Sequence, residues 1–166
     1  MKKITSLNSI VQLSKLSKAR GKKVGLVVGS FDILHMGHIN LFRFAKKRAD
    51  ILVVGLDNDK TVKKSKGKLR PINNYKRRGE FLSELNLVDH IFQIDGVFKD
   101  GDNMSFKYFK ELLEKIRPTH VFTSVRCDEL WKEKKKLAKS LGIKFLAEKS
   151  KVMHTSDILR KLQSNM

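Results

Sequence analysis

Val28-Gly29-Ser30-Phe31-Asp32-Ile33-Leu34-His35-Met36-Gly37-His38 is the stretch on which the reading of this chain turns. Before it lies a β-branched apolar run, Val24-Gly25-Leu26-Val27-Val28, bounded by Lys22-Lys23 and by Gly29-Ser30. After it, Ile39, Leu41, Phe42, Phe44 and Ala45 recur at helical spacing, so the stretch reads as a strand turning into a helix. Two histidines three residues apart fall on or just before the first helical turn. Free backbone N–H groups and the helix dipole favour an anion there. Gly37 between them presents no Cβ where a phosphate would need close backbone approach. Imidazoles beside a phosphate can donate hydrogen bonds to charge that develops during reaction. The pattern points to a phosphate-handling enzyme site. Two other readings stand beside it: a metal pair, for which no third ligand follows at recognisable spacing, and plain capping or solvated side chains.

Working outward, 166 residues suit one domain, taken here as residues 1–166, with the first 20 residues forming a helix packed on it. Apolar residues make up 40% of the chain and there are only two prolines, which excludes pervasive disorder. A single cysteine, Cys127, rules out an intramolecular disulfide framework and fits a reducing cytoplasm, the expected location. No apolar run reaches the ~20 residues that span a bilayer, and no signal-peptide core is present. The net charge of +19 is the unusual global feature. It fits nucleic-acid binding, an anionic membrane or steering of phosphorylated substrates. The lysines are spread rather than gathered in a tail, and no nucleic-acid-binding motif accompanies them, so nucleic acid is not the expected partner.

In chain order, Ser6 caps an amphipathic helix through Ala19 that carries Leu7, Ile10, Val11, Leu13 and Leu16. Strands are expected near Val24–Gly29, Ile51–Leu56, Val88–Ile94, His120–Thr123 and Ile143–Leu146. The intervening helices are expected near Gly37–Arg48, Asn74–Leu85, Ser105–Ile116 and Glu129–Leu141, with Thr155–Leu162 closing the chain. Asp57 to Asn74 is polar and lysine-rich and reads as a loop with at most a short helix, leaving the sheet edge where ligands bind in α/β folds. The fold expected is α/β: a Rossmann-like open parallel sheet of five strands with helices on both faces. GxGxxG and GxxxxGK[ST] elements are absent, which moves dehydrogenases and P-loop kinases down the list.

Gly29-Ser30-Phe31-Asp32 followed by His35-Met36-Gly37-His38 resembles the HxGH signature of the cytidylyltransferase-like nucleotidyltransferases. Within that superfamily the greatest likeness is to the adenylyltransferase domain of ADP-heptose synthase. It extends over Ile4-Thr5-Ser6-Leu7, Gly21-Lys22-Lys23-Val24, Val54-Gly55-Leu56-Asp57-Asn58-Asp59, Lys66-Gly67, Arg70-Pro71-Ile72-Asn73 and Arg78, and weakens beyond about residue 100.

The resemblance implies that an acceptor phosphate attacks the α-phosphorus of a nucleoside triphosphate, ATP being favoured, and releases pyrophosphate. The implied acceptor is a sugar 1-phosphate such as heptose 1-phosphate. A cytidylyltransferase acting on CTP and glycerol 3-phosphate or a similar alcohol phosphate is the alternative. A non-catalytic nucleotide- or RNA-binding module is the alternative of another class. His35, His38, Lys66 and Arg78 are the implied catalytic residues. Gly29, Ser30, Phe31, Asp32 and Gly37, with Thr155 and Ser156 opening the last helix, are the implied nucleotide-binding ones. For Asp32 a turn-holding role stands beside a direct one, and for Arg78 a structural ion pair stands beside phosphate contact. Magnesium is expected on the nucleotide, with no protein metal ligand named, and a homodimer stands among the expected partners by analogy. Two departures from the family pattern bear on base and acceptor: Thr123-Ser124-Val125-Arg126-Cys127-Asp128 replaces a Lys-Gly-Gly-Asp element, and His154 stands where a serine is usual.

Overall fold

A computed structural model describes residues 3–128 and 130–149. Six strands pair in parallel in the order β1-β4-β3-β2-β5-β6. They are β1 (Ile4–Thr5), β2 (Val24–Gly29), β3 (Ile51–Asp57), β4 (His90–Ile94), β5 (His120–Ser124) and β6 (Lys144–Glu148). The helices between them are α1 (Leu7–Ala19), α2 (Met36–Lys46), α3 (Asp59–Lys66), α4 (Tyr75–Ser83), α5 (Asn103–Ile116) and α6 (Trp131–Ser140). The sheet therefore has one strand more than the five expected. The addition is β1, whose two residues pair with Ile91 and Phe92 at the sheet's edge and are too few to leave a periodic pattern.

The apolar runs become strands because both of their faces are covered. Along them, alternate residues enter two separate cores. Leu26, Val53, Phe92 and Val121 pack with residues of α1, α5 and α6 on one face. Val27, Val54, Ile91 and Phe122 pack with residues of α2 and α4 on the other. Close approach is tightest at Gly25, where an added Cβ would lie 2.7 Å from the Phe122 ring and 2.9 Å from Ala49.

Helix ends follow local chemistry. Ser6, Asn58, Asn74 and Asp102 each accept a backbone N–H three residues on, as N-caps do. The Asp57–Asn74 segment is more ordered than its composition implies. Asn58 Nδ2 donates to the carbonyls of Ile94 and Gly96 at 2.8 Å each, and Thr61 Oγ1 donates to Gly96 at 2.6 Å. These side-chain bonds, more than the two buried residues Thr61 and Val62, hold α3 in place. The expected closing helix Thr155–Leu162 lies outside the described residues.

From β2 the chain builds outward through β3 to β4, then crosses back to place β5 on the other side of β2. That reversal lies between the C-terminal ends of β2 and β5. In such sheets the crevice for ligands opens there.

Candidate functional site

A crevice of about 480 Å³ occupies this switch point. Gly29, Ser30, Phe31, Gly37 and His38 line one side of it, and Lys66 closes over its edge. Thr123, Ser124, Cys127 and Asp128 line it from the end of β5, and Phe98, Phe106, Tyr108 and Phe109 form an aromatic wall.

The turn between β2 and α2 is built around its side chains. Phe31 has a φ of 45°, a left-handed conformation that costs a non-glycine residue on the order of 1–3 kcal/mol. Burial of its ring offsets that cost: Phe31 is 5% exposed and stands edge-on to His38 at 5.1 Å and against Phe42 at 5.3 Å. His35 is the N-cap of α2, and its Nδ1 accepts the Gly37 N–H at 3.1 Å. His38 reciprocates, its Nδ1 accepting the His35 N–H at 3.4 Å. The two rings stack with centroids 3.8 Å apart. A ring nitrogen that accepts a hydrogen bond carries no proton, so in both neutral imidazoles the proton sits on Nε2. The backbone thus sets both histidines as Nε2 donors.

Asp32 does not line the crevice. It is 3% exposed; its carboxylate accepts the N–H groups of Ile72 and Asn73 at 2.9 and 2.8 Å and pairs with Arg70 Nε at 2.8 Å. It ties the loop after α3 to the β2 turn. Arg78 is likewise beneath the site rather than in it. Fully buried, it donates through Nη1 to Ser30 O, through Nη2 to Asp57 O and Asp59 Oδ1, and through Nε to Asn73 O. One guanidinium thereby fixes the ends of β2 and β3 and the loop before α4.

Lys66 reaches the crevice from the last turn of α3 and donates to Ser30 Oγ at 2.5 Å. Desolvation and, next, the nearby Arg70 charge hold its ammonium pKa below the usual lysine range. An incoming phosphate would reverse that shift. Thr155 and Ser156 lie outside the described residues. Among those described, no three His, Cys, Asp or Glu side chains gather as a metal site. Nor is any helix long and apolar enough to cross a membrane.

Sequence reasoning passed over one prominent crevice residue. Asp57, quoted there only within the block shared with the family, ends β3, is 9% exposed and lines the crevice. Burial, then repulsion from Asp100, raises its pKa from 3.8 to about 7. The signal was a carboxylate closing an otherwise apolar strand, Ile51-Leu52-Val53-Val54-Gly55-Leu56.

This geometry agrees with what the chain is similar to. A family model described as cytidylyltransferase-like matches residues 26–161. The chain belongs to the cytidylyltransferase-like family. Among its relatives, the bifunctional protein HldE of Wolinella succinogenes is 42% identical over 93 residues, which is 56% of this chain and 20% of that protein. The chain thus spans about a fifth of the length of such relatives. The crystal structure of the lipopolysaccharide core biosynthesis protein from Thermoplasma volcanium superimposes with a TM-score of 0.58 at 30% identity, covering 80% of this chain and 100% of that one. Pantoate-beta-alanine ligase from Francisella tularensis shares the fold at 17% identity, with a TM-score of 0.64 over 92% of this chain and 69% of its own.

Proposed function

We propose that this chain transfers the nucleotidyl group of a nucleoside triphosphate, with ATP favoured, to a sugar 1-phosphate such as heptose 1-phosphate, releasing pyrophosphate. The observation that carries the reading is the pair of backbone-oriented imidazoles at the entrance to α2, with His38 facing the crevice. Similarity to the HldE proteins and to a lipopolysaccharide core biosynthesis protein favours a sugar phosphate as acceptor.

An oxygen of the acceptor phosphate attacks the α-phosphorus in line, forming the new P–O bond as the bond to pyrophosphate breaks. No protein nucleophile is needed, so rate enhancement comes from positioning and charge stabilisation. The Nε2–H groups of His35 and His38 donate to oxygens of the α-phosphate as charge builds there. Lys66 leaves Ser30 for the polyphosphate and neutralises it. Gly29, Ser30, Phe31 and Gly37 form the floor under the nucleotide, and Thr155 and Ser156 hold its distal phosphates. Asp32 and Arg78 act as positioning residues, fixing the chain segments that carry this floor. Magnesium arrives on the polyphosphate as part of the substrate and keeps most of its waters.

The test is a pyrophosphate-release screen crossing the four nucleoside triphosphates with heptose 1-phosphate, hexose 1-phosphates and glycerol 3-phosphate. Release that needs ATP, magnesium and a sugar 1-phosphate is the expected result. Preference for CTP with glycerol 3-phosphate would replace this reading with the alcohol-phosphate one.

A further inference from the structure

Asp57 is nine-tenths buried at the end of β3 and lines the crevice. Its backbone carbonyl accepts from Arg78, but among the described residues its carboxyl has no hydrogen-bond or ion-pair partner. Buried polar groups in folded proteins are almost always satisfied, and one left without a protein partner in a crevice is open to water or to a ligand. A second carboxyl borders the same space. Asp100, on the loop between β4 and α5, lines the crevice with its carboxyl likewise unpaired, while its backbone N–H bonds Ser65 Oγ at 3.0 Å.

The surroundings narrow what this pair can take. Lys66 from α3, Arg78 from α4 and Lys134 from α6 act electrostatically on Asp57, with Asp100 opposing them. Arg78 and Lys134 are themselves paired, with Asp59 and Asp128, so Lys66 is the cation left facing the crevice. With it there and no third His, Cys, Asp or Glu gathered among the described residues, a metal ion is disfavoured, and the two carboxyls disfavour a phosphate. A neutral hydrogen-bond donor remains, and the substrates of nucleotidyl transfer to a sugar phosphate are rich in one kind. We propose that Asp57 and Asp100 form a hydroxyl-binding subsite in the crevice, accepting hydrogen bonds from a diol or polyol portion of a sugar-bearing substrate. The choice of ligand class rests on the function proposed above. The hydroxyls belong either to the ribose of the nucleotide or to the acceptor sugar.

Equilibrium titration separates these sources and keeps the subsite apart from turnover. Wild-type, Asp57→Ala, Asp57→Asn and Asp100→Ala proteins are titrated with ATP, 2′,3′-dideoxy-ATP, heptose 1-phosphate and inorganic phosphate, each with and without magnesium. Thermal unfolding confirms that each variant folds; should Asp57→Ala not fold, the other two carry the test. The expected result is a loss of about 10–100-fold for one sugar-bearing ligand in Asp57→Ala, as for a bond to a charged group. Asp57→Asn, which keeps an acceptor oxygen, falls between, Asp100→Ala loses less, and inorganic phosphate is unaffected. Loss for ATP but not its dideoxy form assigns the ribose; loss for heptose 1-phosphate alone assigns the acceptor. Affinities within twofold of wild type, equal loss for inorganic phosphate, or loss only when magnesium is present each overturn the proposal. Wild-type protein that binds none of the four ligands overturns both this subsite and the proposed function. Binding without pyrophosphate release overturns the catalytic reading alone.

Discussion

Asp32, in the turn that follows β2, and Asp57, at the end of the neighbouring β3, are both buried and are treated in opposite ways by the fold. Asp32 receives two backbone N–H groups and the Arg70 guanidinium, so its carboxylate is complete in the folded chain. Among the described residues nothing bonds the Asp57 carboxyl, although Arg78 lies close enough to bond its backbone carbonyl. The turn after β2 is thus finished by the chain itself, down to the tautomer of each histidine, whereas the end of β3 has acceptor capacity that opens into the crevice. Burial alone does not identify a functional carboxylate. The state of its hydrogen bonds does.

The contrast can be broken most severely at Arg78, which serves both regions. Arg78→Met leaves the carbonyls of Ser30, Asp57 and Asn73 without their donor and Asp59 without its partner. A loss of about 3–5 kcal/mol in urea-unfolding free energy is expected, as when one side of a buried charged network is removed. Asp57→Asn should do the reverse. Because its carboxyl pKa rises from 3.8 to about 7 on folding, the native state binds more protons than the unfolded one across that window. Wild-type stability therefore falls as pH climbs through it, by at most about 4 kcal/mol. The asparagine variant should lack this slope and unfold at a higher temperature than wild type at pH 8. Asp32→Asn is expected to destabilise by about 1.5–3 kcal/mol, since it removes the charge from three short contacts. Equal responses of the two aspartates to substitution would erase the distinction between them. Lys66→Ala is the mildest change to the fold, within about 0.5 kcal/mol for an exposed side chain. It should still weaken nucleoside triphosphate binding about tenfold by titration, through loss of a charge-assisted bond.

Much of this was legible in the sequence, for identifiable reasons. The strands β2 and β3 announce themselves as unbroken β-branched runs because the sheet buries them on both faces. The histidine pair could be read because a strand end, a glycine and a helix start are local features. Strand β1 was hidden because two residues carry no period, and α3 was legible only as a short helix allowed within a loop, because side-chain bonds to the end of β4 and the loop after it, rather than an apolar stripe, hold it. For Arg78 the resemblance implied phosphate contact and a structural ion pair stood beside it, because a place on a helix does not say how deeply that helix face is buried. Asp57 and the aromatic wall of Phe98, Phe106 and Tyr108 converge only through tertiary contact, since residues some 40 to 50 positions apart share the crevice.

The central claim is that imidazole donors at the entrance to α2 stabilise the charge that develops on a nucleotide's α-phosphate. It is tested most directly by pyrophosphate release from ATP and heptose 1-phosphate in the His38→Ala protein, with thermal unfolding followed alongside. The account predicts a turnover lower by about 10²–10³ in a protein that still folds. A folded His38→Ala protein releasing pyrophosphate at the wild-type rate would contradict it.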